Sequence, residues 1–418
     1  MPASANEDAA APVTINPLLK QLEPLLRNPA QNISQGLAQE IALAISQIFT
    51  NQLSPVQSAL LLHDLHYTGL EQHPAVLKEC ARVMTDAAEL PDAARLKEVI
   101  KSRNLGHGGY NGGLCDIVGT GGDRHSTFNI STCSSIIAST LILVAKHGNR
   151  ASTSRSGSSD VLSCMKTPEQ PRLDRITPQA VPGIYASTNY GFLFAPNFHK
   201  GLVNVAGTRK QLHHPTIFNL LGPLTNPADT SIEARMIGVK EKELVSVFAQ
   251  ALKLHGVKKG IVACGDEDLD EISCAGPTHC AWLVWTQHAS GEPETEVKYF
   301  QVVPEDFGVP RHALSEVGPG KSPEDNAKIM RAILAGEVHS DDPILHFVLI
   351  NTACFFVISG VCDGDKSAFG DDRPVITEQG PGGGRWKEGA RLARQAVESG
   401  RAWEMLKKFT QVTNSLEP

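Results

Sequence analysis

From residue 114 onward the chain is punctuated by short apolar runs that stop at a glycine or a polar cluster. Residues 114–118, 141–145, 236–239 and 261–264 are such runs, and stretches of helical periodicity such as 242–254 separate them. Runs this short bounded by glycine read as strands, and their alternation with helices builds a largely parallel sheet. Ligands in such sheets gather at the carboxyl ends of the strands, so the loops after these runs are where chemistry belongs.

The first hundred residues differ. Between Ile15 and Leu105 apolar side chains recur at helical spacing, as in Leu18, Leu19, Leu22, Leu25 and Leu26, and again in Ile41, Ala42, Ile45, Ile48 and Phe49. Ser54-Pro55 reads as an N-cap followed by proline in the first turn. The expected fold class is therefore α/β, with a small helical N-terminal domain over 13–105 and a large α/β domain with a mostly parallel central sheet over 114–418. Residues 1–12 read as a disordered tail and the glycine-rich 106–113 as a linker. Residues 166–182 and 362–385 read as inserted surface loops, and 388–409 as helical, with Leu392, Ala396 and Val397 on one face.

A formal net charge of -7 excludes broad electrostatic attraction to nucleic acid or an anionic membrane. A polyanion bound by such a chain must be held locally, by a few placed cations and backbone amides. No signal peptide or membrane-length apolar run is present, so the cytoplasm is the expected address. The nine cysteines include no C-x-x-C pair. Cys264, Cys274 and Cys280 with His279 fit no common zinc spacing, so buried thiols in a reducing compartment are expected.

Three loops carry the chemical signal. Gly119-Thr120-Gly121-Gly122-Asp123 follows the first run, and Asn129 or Ser131 can cap the helix that starts just beyond it. Glycines there bring backbone amides close to a ligand, and a helix start favours phosphate. The loop is neither a P-loop nor a dinucleotide fingerprint, and alone it could be a plain structural turn. Lys146-His147-Gly148-Asn149-Arg150 follows the second run, with the hydroxyls of Ser152, Thr153, Ser154, Ser156 and Ser158 behind it, a lysine-centred anion cradle. His147 is read as a structural donor. The third loop, 265–271, packs Asp266, Glu267, Asp268, Asp270 and Glu271 into six residues, costly by mutual repulsion unless a cation is present. Carboxylates together with substrate phosphates are the usual way of holding Mg²⁺. Any one loop could be an ordinary solvated turn. The three together call for a polyphosphate with Mg²⁺.

These residues resemble the anthranilate phosphoribosyltransferases. The motifs at 119–123, 129–132, 146–150, 156–158 and Asp270-Glu271-Ile272-Ser273 match in order and rough spacing. So do Gly191-Phe192-Leu193-Phe194-Ala195-Pro196 and the segment 216–227, and the likeness runs from Ile15 to Phe409. The resemblance implies the architecture shared with pyrimidine nucleoside phosphorylases, a homodimer, and transfer of phosphoribose from phosphoribosyl pyrophosphate (PRPP) to the amine of anthranilate. It implies PRPP contacts from Gly119, Gly122, Asp123, Thr127, Asn129, Ser131, Thr132, Lys146, Gly148, Asn149 and Ser158. Two Mg²⁺ ions are implied, held by Ser131 and by Asp270 with Glu271. Anthranilate contacts are implied from Gly119, Asn149 and Arg209, the last suited to a carboxylate by its planar fork. No general base is assigned, because the amine of anthranilate is neutral at neutral pH.

Two positions depart from the family pattern: Asp268 stands where glycine is usual, and Pro215 where a basic residue commonly precedes the Thr-x-Phe-Asn segment. The two inserted loops depart from typical bacterial lengths, which points to a monofunctional eukaryotic, fungal form. Association with anthranilate synthase is not legible in the sequence. The alternatives are a pyrimidine nucleoside phosphorylase of the same architecture and a non-catalytic nucleic-acid-binding relative.

Overall fold

The computed structural model describes residues 14–27, 33–125, 127–151, 156–286, 294–320 and 322–417. The expected tail over 1–12 and the hydroxyls of Ser152, Thr153 and Ser154 lie outside them. The chain forms two units, residues up to Ala88 with His199–Leu221, and Glu89–Phe198 with the remainder from Gly222.

The smaller unit is helical: Asn16–Arg27, Gln35–Phe49, Pro55–Tyr67 and Pro74–Asp86, joined by Val203–Leu212 from later in the chain. Of the apolar positions expected to face inward, Leu18, Leu22, Ile41, Ala42, Ile45 and Ile48 are buried and Leu19, Leu25, Leu26 and Phe49 are half-buried. Ser54 caps the third helix, its hydroxyl accepting from the Gln57 amide while the Gln57 side chain accepts from the Ser54 amide, with Pro55 in the first turn. Residues 199–221 belong to this unit and not to the α/β domain expected from the sequence. Val205 is buried in it, and the Asn204 amide donates to the carbonyls of Ile48 and Phe49 at 3.3 and 3.0 Å.

The larger unit is built on one seven-stranded sheet. Its strands are β1 (Leu114–Gly119), β2 (Leu143–Gly148), β3 (Tyr190–Phe194), β4 (Ile232–Gly238), β5 (Gly260–Gly265), β6 (Thr278–Thr286) and β7 (Glu294–Val302), in the order β3-β2-β1-β4-β5-β6-β7. The first five are parallel; β6 pairs antiparallel with both β5 and β7. The chain steps outward from β1 through β2 and β3, then restarts on the other side of β1 with β4. Ligand-binding crevices form at such a switch point, so the carboxyl ends of β1, β2, β4 and β5 frame the site. Helix Pro343–Ser359 is apolar on all sides and buried from Leu345 to Ser359, as a central core helix must be.

Two further expectations are corrected. The helix Ala93–Arg103 and residues 106–113 belong to the larger unit. The second of these is a packed tie, not a linker, because it carries a large aromatic ring to bury. Tyr110 is buried; its hydroxyl donates to the Gly113 carbonyl at 2.7 Å and accepts from the Leu143 amide at 2.9 Å. The inserted loops are also anchored. Leu173 and Ile176 are buried, and Arg175 donates to the carbonyls of Asn414 and Leu416. Arg385 donates to the carbonyls of Cys362 and Gly364. The helical C-terminal segment is two helices, Trp386–Glu398 and Arg401–Ser415, broken at Gly400, whose φ of +72° suits glycine.

Candidate active site

The three loops predicted from sequence lie at the ends of β1, β2 and β5, and they converge. Gly119 ends β1 so close to Asp270 that a Cβ there would overlap the Asp270 carboxylate. The next turn needs the left-handed backbone of Gly121 and Gly122, at φ +67° and +79°. That turn aims the Gly121 amide at Asp270 Oδ2, 2.6 Å away. Asp123 accepts from the amide of His125 at 3.2 Å, and His125 Nε2 lies 2.7 Å from the carbonyl of Glu267, tying the first loop to the third.

Helix Ile130–Ala138 follows. Asn129 occupies its N-cap position, yet its side chain does not cap. It donates instead to the Ser156 carbonyl at 3.0 Å and accepts from Asn326 at 3.2 Å, which links the first loop to the second. The Ser131 amide donates to Glu271 Oε1 at 3.3 Å. Thr132 is buried, with no open side-chain face.

Lys146, near the end of β2, is 2 % exposed, which makes it the buried cation of the site. Its ammonium donates to the Ile117 carbonyl at 2.7 Å and to Ser131 Oγ at 3.4 Å. Burial lowers its pKa, while Asp116, Glu271 and Asp270 hold the proton on. A Cβ on Gly148 would meet both Ser158 Oγ and the Phe192 ring, so only glycine lets these pieces close. The Ser158 hydroxyl donates to the Asn149 carbonyl at 3.2 Å. His147 is the expected structural donor, its Nδ1 3.3 Å from the Gly222 carbonyl.

Of the five acids in the third loop, only two face this site. Asp266 pairs with His279 at 2.9 Å and with Lys242. Glu267 accepts from the Ser273 hydroxyl. Asp268 lies 3.9 Å from Lys242. Asp270 and Glu271 turn inward. Burial, then the charge of Asp123, pushes the Asp270 carboxyl up to about 7. Burial, then Asp270, raises Glu271 well above the usual range, with Lys146 opposing. A recessed acid pair that is unfavourable as it stands is what a divalent cation stabilises.

The sequence signature of the glycosyl transferase family, a/b domain, matches residues 111–403. Anthranilate phosphoribosyltransferase of Schizosaccharomyces pombe is 38 % identical over 371 residues, 88 % of this chain and 91 % of that one. The chain belongs to the anthranilate phosphoribosyltransferase family. It is accordingly a pentosyltransferase, and neither the phosphorylase nor the nucleic-acid-binding alternative is favoured. The Saccharomyces cerevisiae enzyme in complex with PRPP and Mg superposes with a TM-score of 0.76 at 28 % identity, over 96 % of this chain and 99 % of that one. The same enzyme in complex with 4-fluoroanthranilate gives 0.73 at 27 %, over 96 % and 98 %.

The two departures from the anthranilate phosphoribosyltransferase pattern sit in different local settings. Asp268 has φ +62°, a left-handed turn for which glycine is the unstrained choice. Pro215 is exposed, and the preceding His214 stacks on His66 of the same helical unit at 4.5 Å. Arg209, also in the helical unit, is partly buried over the Phe218 ring, and its Nη2 donates to Asn219 Oδ1 at 3.3 Å. The Thr-x-Phe-Asn segment thus holds the arginine in place.

Sequence reasoning missed the residues behind the loops. Asp116 lies within β1, 1 % exposed, accepting from the His147 amide at 3.4 Å and opposite Arg235 in register. An acid inside an apolar run was itself a usable signal, since a buried charge needs a partner. Asn326, also buried, donates to Asn129 and accepts from the Gly320 amide at 2.6 Å, and no local pattern marks it.

Proposed function

We propose that the α/β unit binds PRPP with Mg²⁺ and that the enzyme transfers its phosphoribosyl group to the amine of anthranilate. The products are N-(5-phosphoribosyl)anthranilate and pyrophosphate, the second step from chorismate to tryptophan. The observation that carries this reading is the recessed Asp270–Glu271 pair set against the Gly121 amide, the Ser131 amide and the Lys146 ammonium.

The donor set fits Mg²⁺. It is all oxygen, and no three His, Cys, Asp or Glu side chains among the described residues make a self-sufficient cage. Two carboxylates would leave positions on the ion for phosphate oxygens and water, the usual way Mg²⁺ is held. Asp270 and Glu271 would hold one ion and the Ser131 hydroxyl a second. Bound Mg²⁺ would neutralise charge on the departing pyrophosphate.

The chain's own residues do the rest. Gly119, Gly122 and Lys146 contact the phosphates of PRPP, and Gly148, Asn149 and Ser158 complete the phosphate and ribose cradle. Asp123, Thr127 and Asn129 line it, and Thr132, being buried, acts through its backbone. Gly119, Asn149 and Arg209 orient anthranilate, with the guanidinium on its carboxylate. The amine lone pair forms the C–N bond at the anomeric carbon as the C–O bond to pyrophosphate breaks, and the acidic anilinium proton then passes to water or to the released pyrophosphate. Positioning and charge stabilisation supply the acceleration, and no general base is needed.

The S. cerevisiae complexes with PRPP and Mg and with 4-fluoroanthranilate support these ligands. A cytoplasmic homodimer completes the proposal. Leu43, Val56, Leu60, Tyr67 and Val203 of the helical unit are five of the nine large apolar side chains left exposed among the described residues, which suits a second copy covering that unit. No helix among them is long and apolar enough to cross a membrane. Loss of anthranilate fluorescence that requires both PRPP and Mg²⁺ is the expected result. No loss with folded protein would refute the assignment, and thymidine phosphorolysis would be assayed next.

A further inference from the structure

Helix Pro343–Ser359 is the most apolar helix in the larger unit, yet at its centre stands Asn351, fully buried. A buried amide in such a setting costs stability unless its hydrogen bonds are made. Asn351 makes three. Its Oδ1 accepts from the Ile272 amide at 2.9 Å, and its Nδ2 donates to the Ile272 carbonyl at 3.0 Å and to the Phe347 carbonyl at 3.0 Å. Two of the three grip both polar groups of one residue, as a neighbouring strand would. Ile272 directly follows Asp270 and Glu271.

On the other side of the acid pair, Leu269 is fully buried and its carbonyl accepts from the Gly265 amide at 2.8 Å. The two acids are thus held between anchors at 269 and 272. The backbone of Asp270 lies against Gly238, where a Cβ would overlap its carbonyl. Without the anchor at 272, the loop could relieve the burial and mutual repulsion of its carboxylates by turning them outward.

We propose that Asn351 is a positioning residue for the metal-binding carboxylates: it clamps the Ile272 backbone so that Asp270 and Glu271 stay inward before any cation arrives. The inference rests on the reading of these two acids as Mg²⁺ ligands. Its three hydrogen bonds are all to backbone groups, so Asn351 acts through the loop.

The test is binding of Mn²⁺, standing in for Mg²⁺, to the full-length protein with PRPP, read by electron paramagnetic resonance of the free ion. If the wild type does not bind Mn²⁺, the acids are not metal ligands and the functional reading fails with the inference. If it binds, Asn351→Ser is expected to weaken Mn²⁺ by about 10- to 100-fold, the usual cost of losing an outer partner of a metal site. The Mg²⁺ needed for half-maximal rate should rise in step, with kcat at saturating Mg²⁺ changed far less. Thr352→Val is the control. Thr352 is equally buried in the same helix, but its hydroxyl bonds only to Val348 in that helix, so its metal affinity should not move. Equal losses in both variants, or none in Asn351→Ser, would overturn the proposal. Should the serine variant not fold, hydrogen exchange on the wild type decides. The Ile272 amide is expected to be protected without metal or PRPP, and exchange as fast as in an open loop would overturn the clamp.

Discussion

Gly119 and Asp270, 151 positions apart in sequence, lie in such close approach that a single methyl group at position 119 would occupy the space of the Asp270 carboxylate. The strand end and the acidic loop are therefore one object. The backbone of the first loop and the carboxylate of the third are set against each other by the absence of a side chain.

Gly119→Ala should consequently displace the acid pair while leaving the sheet intact. A misplacement of about 1 Å at a reacting centre costs on the order of 100-fold in rate. The expected outcome is a loss of that size in kcat/KM for PRPP, with a normal far-UV spectrum. Activity within about threefold of wild type would show that the carboxylate is not held where the structure has it.

Asp270→Asn and Glu271→Gln should each cost more Mg²⁺ affinity than the roughly 10- to 100-fold of an outer partner. Near-normal turnover at limiting Mg²⁺ would remove them from the metal site. The same residue makes a pH prediction. Asp270 titrates at about 7 when folded, and at about 3.9 when unfolded. Between those values the folded state keeps a proton that the unfolded state has lost. Its contribution to stability is therefore present at low pH and is lost as pH rises through that window. Thermal melts of the metal-free wild type should fall relative to Asp270→Asn between pH 5 and pH 7.5 (on the order of the interval between those pKa values). A constant gap between the two curves would contradict the shift.

Arg209→Ala should raise the KM for anthranilate by about 10- to 100-fold, the worth of a charge-assisted hydrogen bond, and change the KM for PRPP much less. Arg209→Lys should recover little, because a lysine lacks the planar fork and the reach to Asn219. An unchanged KM for anthranilate in both would take Arg209 out of the acceptor site.

Asp268→Gly should leave activity intact and not lower stability, since glycine adopts φ +62° without strain. Asp268→Ala should destabilise by about 1 kcal/mol relative to the glycine variant, measured by denaturant unfolding. A more stable alanine variant would be inconsistent with the left-handed turn.

The sequence by itself determined the elements whose causes are local. The capped start at Ser54-Pro55, the helical spacing of Ile41, Ile45 and Ile48, the strand ends at Gly119 and Gly148, and the acid-rich turn after Gly265 depend on residues within a few positions of one another. Capping, periodicity and glycine turns act over that range, so they could be read directly, and with them the three-loop site. Tertiary structure alone decided which side chains meet across long separations. It sent 199–221 into the helical unit, turned 106–113 into a tie around Tyr110, and added the antiparallel pair β6 and β7 at the sheet edge. It also chose two acids of five, since Asp266, Glu267 and Asp268 find side-chain neighbours in His279, Ser273 and Lys242 while Asp270 and Glu271 turn to the backbone amides of Gly121 and Ser131. Burial and hydrogen-bond partnership are properties of the folded chain. For the same reason Asn351, one polar residue in an apolar run, gives no local sign that it holds the backbone of Ile272, 79 positions away.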